Sequence, residues 1–378
     1  MKIFSIRMKP MRTVLLVAIL ISALPFGVLA SDDGALILKR ADRNENIYSN
    51  GEFISHLRGD VVFHYDDMRI RADEATWRKS QGVVSFRNGV KVERERQILT
   101  CNWLHFTRKS NFIRANGNFF FHDSSEYTTL SGREAEYDVK SRDFLLRGKP
   151  LLVRKDTVEN DTLFISGTRM SYADSSKQAT VTENVRIRKG KLEATCRKAD
   201  YFTKKDNAQL RIKPEVFYEN HKVIGDSVDL YFGKESLKSA RVIGNSHGRY
   251  AEISKSSKDT TITHIWSDSL HLTVSDSGML DSLYAFGRVQ SKYFLEGDST
   301  RANEASGKLM VLSFRDDGKV DRAVINGNAR SIYYIEEADG RGRNEASGDQ
   351  IVVMFELGKA RLLKLRGSAR GKYFPLSN

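Results

Sequence analysis

The chain has 378 residues and a net charge of +13, from 61 Lys and Arg against 48 Asp and Glu. No apolar stretch after residue 30 approaches the 18 residues of a membrane-spanning helix, which excludes a helical membrane protein for that part of the chain. An excess of basic residues favours anionic partners, and phosphorylated lipids or acidic glycans are favoured over nucleic acid. The alternative is that the basic residues belong to a solvated surface with Lys-rich strand edges.

The first 30 residues have the layout of a secretory signal peptide. Four basic residues precede an apolar run from Val14 to Leu24, and Pro25 and the small-residue sequence VLA follow. We expect cleavage after Ala30 and export. The alternative is an uncleaved anchor, because the segment from Val14 to Ala30 is only just short of a membrane-spanning length. Cleavage would leave 57 basic and 48 acidic residues, a net charge of +9.

A turn-like string recurs ten times after residue 58. The ten positions are RGDVVF at Gly59, RNGVKV at Asn88, NGNFFF at Gly117, RGKPLL at Gly148, TENVRI at Glu183, IKPEVF at Pro214, IGNSHG at Gly244, FGRVQS at Gly287, NGNARS at Gly327 and RGSARG at Gly367. The spacing is 29 to 35 residues as far as Gly244 and 40 to 43 after it. We therefore divide the exported chain into residues 31–255, with units of about 30 residues, and residues 256–378, with units of about 40.

Each string lies in a segment where apolar and polar residues alternate, which is the pattern of a strand with one buried face. The apolar residues at alternate positions are, in four of the units, Val84, Phe86, Val90, Val92; then Ile113, Ala115, Phe119, Phe121; then Phe144, Leu146, Pro150, Leu152; then Leu210, Ile212, Val216, Tyr218. No stretch has sustained apolar spacing of 3.6 residues. The sequence therefore predicts an all-β protein with negligible helix.

Clusters of Asp, Asn, Ser and Gly come about nine residues before most strings. They are KSQG at 79–82, RKSN at 108–111, KSRD at 140–143, DSSK at 174–177, KKDN at 204–207, SDSG at 275–278 and RDDG at 315–318. These residues tolerate the positive φ of tight hairpin turns. Each unit is thus a strand, a hairpin turn and a second strand, with a Gly or polar corner partway along the second strand.

The last four units share a further pattern after the corner. Small or apolar residues and a tyrosine follow at offsets two, four and six: Ser246, Gly248, Tyr250; Val289, Ser291, Tyr293; Ala329, Ser331, Tyr333; Ala369, Gly371, Tyr373. We expect a column of tyrosines beside a strip of small residues on one face. Ring packing that fixes the register of neighbouring strands is favoured over a ligand platform.

The pentapeptide NEASG occurs at 303–307 and again at 344–348, 41 residues later. We interpret it as the polar approach to the first strand of a 40-residue unit, which recurs because the unit recurs. No site role is expected for its Asn and Glu residues, which are Asn303, Glu304, Asn344 and Glu345.

The two cysteines, Cys101 and Cys196, lie three units apart. Strands are about 4.8 Å apart, so at least about 14 Å would separate the sulfurs, beyond the Cα limit of about 7 Å for a bridge. We predict two free, buried thiols.

Motifs for enzyme chemistry are missing from the sequence. The eight histidines form no HExxH pair and no CxxC-linked cluster, and there is no GxSxG elbow, P-loop or dinucleotide fingerprint. Acidic residues recur near the start of the first strand of many units, as solvated strand ends would: Asp73, Glu74, Glu134, Glu136, Asp200, Asp226, Asp229 and Asp268. We expect no enzyme, no cofactor and no metal site.

Three strings resemble the periplasmic lipopolysaccharide-transport proteins of the OstA or LptA type. They are GDVVFHYDDMRIRADEATW, NGVKVERERQILTCNWLHF and ENVRIRKGKLEATCRKADYF, and LKRADRNENIYSNGEFISHLRGDVVF is similar to the segment that opens the domain of that family. The resemblance extends from about Leu38 to Tyr250 and is weaker beyond. It rests on the repeated pattern, because any single copy is unspecific.

The resemblance implies an open-ended β-jelly-roll of about ten repeats, with an apolar trough for the acyl chains of lipopolysaccharide. It also implies a periplasmic location, association with the outer membrane, edge-strand pairing with similar jelly-roll proteins, and head-to-tail self-association. The residues it assigns to acyl contacts are Val84, Phe86, Val90, Val92, Ile113, Phe119, Phe121, Leu146, Leu152, Val181, Val185, Ile187, Ile212 and Val216.

Two other functions stay open from the residues alone. A structural or adhesive surface protein would have a fully packed inner face. A carbohydrate-active enzyme on a β-helix would have no hairpin turns, which the turn clusters already oppose.

Overall fold

The computed structural model describes residues 34–155, 161–233, 236–253, 260–296, 298–337, 340–356 and 359–375. The chain divides into a short unit, residues 1–35, and a long unit, residues 36–378. The expected signal peptide lies outside the described residues. All that follows concerns the long unit.

Antiparallel strands make up almost all of the described chain, and a single 3₁₀ turn at Arg108–Ser110 is its one helical element. The strands are β1 Ile37–Arg40, β2 Arg43–Ser49, β3 Glu52–Tyr65, β4 Met68–Arg78, β5 Val83–Arg94, β6 Gln97–Thr107, β7 Phe112–Asp123, β8 Thr128–Asp138, β9 Asp143–Arg147, β10 Leu151–Lys155, β11 Thr162–Ser166, β12 Arg169–Ala173, β13 Gln178–Lys189, β14 Leu192–Phe202, β15 Asn207–Arg211, β16 Glu215–Tyr218, β17 His221–Ile224, β18 Ser227–Gly233, β19 Ser236–Ile253, β20 Thr260–Val274, β21 Leu280–Leu295, β22 Asp298–Phe314, β23 Val320–Glu337, β24 Gly340–Glu356, β25 Lys359–Arg366 and β26 Arg370–Pro375.

Consecutive hairpins join these strands into one continuous ladder that is bent into two walls. In β5 and β6, residues 83–87 pair with 103–107, and residues 90–94 pair with 97–101, with a bulge between the two sets. Segments equivalent to residues 83–87 and 103–107 form wall A, and segments equivalent to residues 90–94 and 97–101 form wall B. The same division recurs along the chain. Where a strand is interrupted at the bend, the two walls receive separate short strands, such as β9 in wall A and β10 in wall B. This is the predicted all-β hairpin ladder, an open-ended β-jelly-roll.

Left-handed backbone marks the bend in the second strand of each unit. The bend residues are Gly59 and Asp60, Asn88 and Gly89, Gly117 and Asn118, Gly148 and Lys149, Glu183 and Asn184, Ile212 and Lys213, Gly244 and Asn245, Gly287, Gly327 and Asn328, and Gly367 and Ser368, all with positive φ. Side chains with a Cβ are strained in this region, which explains the Gly and Asn content of the strings. We call each of these sites a corner.

Nine of the ten predicted corners are confirmed, and the one at Pro214 is wrong by two residues. The left-handed pair is Ile212 and Lys213, with φ of 63° and 56°, and the proline follows it. The correct alignment matches the Gly148 and Lys149 pair, which also precedes a proline. The sequence pattern places the corner on the proline, whose ring fixes φ at a negative value.

Among the recurring acidic residues, Asp226 and Asp268 are corner residues and not free strand ends. A Cβ added at Gly244 would lie 2.2 Å from the Asp226 carboxylate, and one at Gly287 would lie 2.1 Å from Asp268. Asp268 also accepts hydrogen bonds from the Arg288 backbone and guanidinium. Each carboxylate therefore packs against the left-handed glycine of the next strand, where only glycine leaves room for it.

Aromatic pairs fill the space between the walls in the first half of the ladder. Phe63 of wall B meets Phe86 of wall A edge-on at 5.4 Å between centroids, and Phe121 of wall B lies 4.8 Å from Phe144 of wall A. These rings are at most 8% exposed. Burying such a side chain contributes about 1.5–3 kcal/mol, so this packing dominates the stability of the region.

Turns and thiols match the sequence predictions. Each of the seven predicted turn clusters contains a residue with positive φ: Gly82, Asn111, Arg142, Lys177, Asp206, Gly278 and Gly318. Cys101 and Cys196 are both free and buried, as expected. The NEASG segments, however, lie inside β22 and β24, so the prediction that they precede a strand is wrong.

Each end of the ladder has two edge strands, one in wall A and one in wall B. β1 and β2 both pair with β3, and β25 and β26 both pair with β24. Their outer edges have no paired strand among the described residues.

Candidate functional site

The residues predicted to contact acyl chains form a packed core. Thirteen of the fourteen belong to one buried cluster and are at most 8% exposed. Ile212 is the exception, at 52% exposed. Its left-handed corner turns the side chain out of the alternation of the strand, so its assignment to the inner face is wrong.

A cavity of about 450 Å³ lies between the walls near the C-terminal end of the ladder. Wall A contributes apolar side chains to it from β22 to β25, including Met310, Leu312, Ile325 and Leu363. Its volume falls within the range of about 300–1,000 Å³ usual for small-molecule sites. We take this cavity as the candidate functional site.

Wall B lines the cavity with a column of tyrosines alternating with asparagines. Tyr293 lies opposite Asn303, and Asn344 lies between Tyr333 and Tyr373, on neighbouring strands. The Asn303 Oδ1 accepts a hydrogen bond of 2.8 Å from the Tyr334 backbone N–H. The tyrosines share one face of the wall, as predicted. Tyr250, Tyr293 and Tyr333 line the cavity, whereas Tyr373 is 55% exposed on the edge strand and lies outside the lining.

Side chains that are small at every position except Ile265 create the space in front of this wall. A row of direct cross-strand neighbours runs along its inner face: Gly248, Ile265, Ser291, Ala305, Ser331, Ala346 and Gly371. The Ser331 hydroxyl is buried and has no hydrogen-bond partner among the described residues. A buried hydroxyl of this kind is costly unless something bonds to it, so it offers an occupant of the cavity one polar contact.

The NEASG segment follows from this geometry. In the first copy, Asn303 and Ala305 face the cavity, while Glu304 points outward to Lys292 at 2.9 Å. Gly307 lies at the bend, where a Cβ would come within 2.6 Å of the Ile325 side chain and 3.0 Å of a backbone carbonyl. The five residues therefore alternate between the two faces and end where only glycine fits.

Hydrogen bonds close the open side between the walls, opposite the corners. The Tyr218 hydroxyl donates 2.7 Å to the Gly278 carbonyl in a wall A turn, and the Tyr250 hydroxyl donates to the Gly318 carbonyl in the next such turn. Burial raises the pKa of Tyr250, so the hydroxyl stays protonated and can donate. These bonds hold the walls together at the start of the cavity.

An ion pair lies beside the Tyr250 bridge. Glu252 lies 3.8 Å from Lys319 and lines the cavity. Burial, as the largest cause, raises the pKa of Glu252, while Lys319 opposes the rise. The pair places one acidic and one basic group at the opening between the walls.

The cavity was not assigned from the sequence, although its signal was visible there. The offsets that place Ser291 and Tyr293 on one face favour ring packing over a ligand platform, and the sequence predicts no site role for Asn303 and Asn344. Both asparagines nevertheless line the cavity. The missing information was the width of the space, which depends on both walls.

The described part of the chain contains no group of three or more His, Cys, Asp or Glu side chains placed to hold a metal ion. None of its helical segments is long and apolar enough to cross a bilayer.

The chain is similar to LptH, the LptA homologous periplasmic component of the conserved lipopolysaccharide transport device from Pseudomonas aeruginosa. The identity is 16%, the TM-score is 0.24, and the match covers 38% of this chain and 82% of that one. At this TM-score the likeness carries no argument, and the fold rests on the strand register given above. No family model and no curated protein matches the chain.

Proposed function

We propose that this chain is a non-enzymatic carrier or bridge that holds the acyl chains of lipopolysaccharide in the cavity near the end of β22–β25. The observation that carries the proposal is the cavity itself, which has apolar side chains on wall A and tyrosine and asparagine on wall B. An acyl chain would bury its methylene groups against Met310 and Leu363, at about 0.8 kcal/mol for each CH₂ group.

The two sides of the cavity suit an amphiphile. Tyrosine combines an apolar ring with a hydroxyl, and the Asn303 and Asn344 amides can hydrogen-bond to ester or amide groups near the head of a lipid. Arg361 lines the same cavity and Lys319 lies near the opening between the walls, so basic groups are within reach of lipid phosphates. This arrangement supports a bound lipid with a charged head.

Location and partners belong to the same proposal. The basic charge, the signal-peptide layout and the unpaired edges support an exported, periplasmic protein that pairs edge to edge with similar jelly-roll proteins near the outer membrane. The C-terminal edge strands, β25 and β26, contain six basic and no acidic residues, whereas β1 and β2 contain three basic and one acidic. Head-to-tail self-association would join two positive edges, so an acidic partner edge fits better.

Native mass spectrometry tests the cargo. Full-length protein is purified from a lipopolysaccharide-producing host and sprayed under non-denaturing conditions. We expect adducts with the masses of lipid A species, which disappear when the cavity is filled by Ala305→Phe. Protein that carries no lipid in this host, or adducts that persist in the filled variant, would contradict the proposal.

Photo-crosslinking locates the lipid. A benzophenone amino acid at Leu363, in the cavity, is expected to crosslink radiolabelled lipopolysaccharide. The same group at Ile243, which is 41% exposed on the outer face, is the matched control and is expected to give no crosslink. Equal labelling at both positions would indicate surface adsorption.

One observation supports the alternative structural or adhesive function: the core of the first half of the ladder is fully packed. It predicts surface-exposed protein on whole cells and no lipid adducts. The β-helix enzyme finds no support, because every strand pairing among the described residues is antiparallel, and hairpins connect strands such as β3, β4, β5 and β6.

A further inference from the structure

A continuous row of side chains crosses the outer face of wall B, on the side away from the cavity. Each member lies directly opposite the next on the neighbouring strand, and we call the set the outer row: His247, Trp266, Gln290, Ser306, Arg330, Ser347 and Arg370. Strands are about 4.8 Å apart, so the distance from Trp266 to Arg370 is about 24 Å. Both NEASG serines belong to this row.

Flat aromatic surface forms one end of the outer row. The ring planes of Trp266 and His247 differ by 3°, with 5.1 Å between centroids, and His264 lies within 16° of both. A hydrogen bond of 2.8 Å between the two imidazoles fixes the arrangement. Trp266 is still 37% exposed, so much of its ring is open to solvent.

Polar side chains continue from this aromatic end along a groove of about 660 Å³. Gln290, Ser306, Arg330, Ser347 and Arg370 all line it, and the parallel row that includes Lys292 and Lys372 forms its flank. The groove is therefore an open, elongated surface rich in hydrogen-bond donors.

The charge in the groove is positive. Its two glutamates are already paired, Glu304 with Lys292 at 2.9 Å and Glu345 with Arg343 at 2.6 Å. Arg330 and Arg370 have no salt bridge to any described residue. Two guanidinium groups thus remain to bind carboxylate or phosphate, which they can do in bidentate fashion.

We propose that the outer row is a binding site for an acidic oligosaccharide. The C–H face of a pyranose ring is apolar and packs flat on an aromatic ring, which places one sugar on Trp266. The Gln290 amide and the Ser306 and Ser347 hydroxyls bond to sugar hydroxyls farther along. Arg330 and Arg370 bind the acidic groups. Because the row lies on the opposite face of the wall from the cavity, this site does not depend on the lipid proposal.

Isothermal titration with three probes tests the assignment. The probes are a hexamer of galacturonic acid, maltohexaose as a neutral sugar, and inorganic polyphosphate as an anion without sugar. We expect the galacturonic acid hexamer to bind and to change the fluorescence of Trp266. Its affinity should fall at least tenfold in Trp266→Ala and in the double variant Arg330→Gln, Arg370→Gln. Maltohexaose should bind at least tenfold more weakly.

Phe286→Ala serves as the matched control, because Phe286 is 42% exposed on the outer face of wall A. It should leave the affinity unchanged, and circular dichroism confirms that every variant is folded. Failure of the folded wild-type protein to bind the hexamer overturns the proposal. Polyphosphate and hexamer binding that are equally tight and insensitive to Trp266→Ala overturn it as well, in favour of a merely cationic surface.

Discussion

One inner row of wall B runs the length of the ladder, and its two halves differ in side-chain size. From β3 to β17 the row is bulky at every position except Ala194: Phe63, Ile70, Val92, Leu99, Phe121, Leu130, Leu152, Ile165, Ile187, Ala194, Val216 and Val223. Val223 then pairs with Gly248, and the row continues through Ile265, Ser291, Ala305 and Ser331, which are small at every position except Ile265. The backbone pattern is the same in both halves, so the inner side chains decide whether the walls enclose a core or a cavity.

Because of this difference, the two halves of one fold have different properties. The first half has the interdigitated packing of a protein interior, which stabilises the ladder. The second half has lost that packing along one row and keeps an apolar wall opposite it. Stability and the proposed lipid binding therefore fall to different units, and each can be changed separately.

The largest expected effect comes from truncating the packed half. Phe86→Ala removes a ring that is fully buried between the walls, so the free energy of unfolding should fall by about 3–5 kcal/mol. Met310→Ala borders an existing cavity and should cost about 2 kcal/mol, at the low end for such a change. Urea denaturation measures both. Equal costs would show that the two halves are packed alike.

Larger side chains should also affect the two halves differently, destabilising the packed half but not the half with the cavity. Ala199 is fully buried in the packed half, and Ala199→Leu should destabilise the protein by about 1–3 kcal/mol through overpacking. Ala305→Leu extends into the cavity and should leave the free energy of unfolding unchanged or raise it, while it lowers lipid occupancy. Thermal unfolding and native mass spectrometry report the two effects. A loss of stability on Ala305→Leu would mean that the cavity does not exist in solution.

Acid should weaken the junction between the halves. Burial lowers the pKa of His221 from 6.5 to about 4, and its neutral Nδ1 accepts a hydrogen bond from the Ala251 backbone N–H. The unfolded chain takes up the proton first, so stability is complete above pH 6.5 and falls as the pH drops from 6.5 towards 4. After a discount for partial exposure, the loss should be about 1–2 kcal/mol.

His221→Gln is the control for this effect, because the amide can accept the same hydrogen bond without titrating. The variant should show a flatter pH dependence of unfolding across that window. An identical pH profile for wild type and variant would place the acid sensitivity elsewhere.

Local chemistry made most of the fold predictable. Alternation placed Val84 and Phe86 on one face, because the side chains of a strand alternate strictly. Turn residues such as Asn111 and Gly318 located the hairpins, because few residues tolerate positive φ. The error at Ile212 arose from the same logic, since Ile is among the residues least suited to a left-handed corner and carried no signal of one.

The candidate site was less predictable because the cavity arises where large inner side chains are absent. Ser291 and Tyr293 could be assigned to a face, but the size of the gap in front of them depends on Met310 and Leu363 of the other wall. The bridge from Tyr250 to Gly318 joins residues 68 positions apart, and no local pattern reports such a pairing. The width of a space between two walls is a long-range property of the chain.

The alternation along NEASG means that a single short segment serves two surfaces. Deletion of Ser306 would shift residues 303–305 by one position, so that Glu304 would turn to the cavity face and the cavity-lining Asn303 and Ala305 would turn to solvent. Either surface can therefore vary by substitution at its own alternate positions, whereas a change in segment length would disrupt both at once.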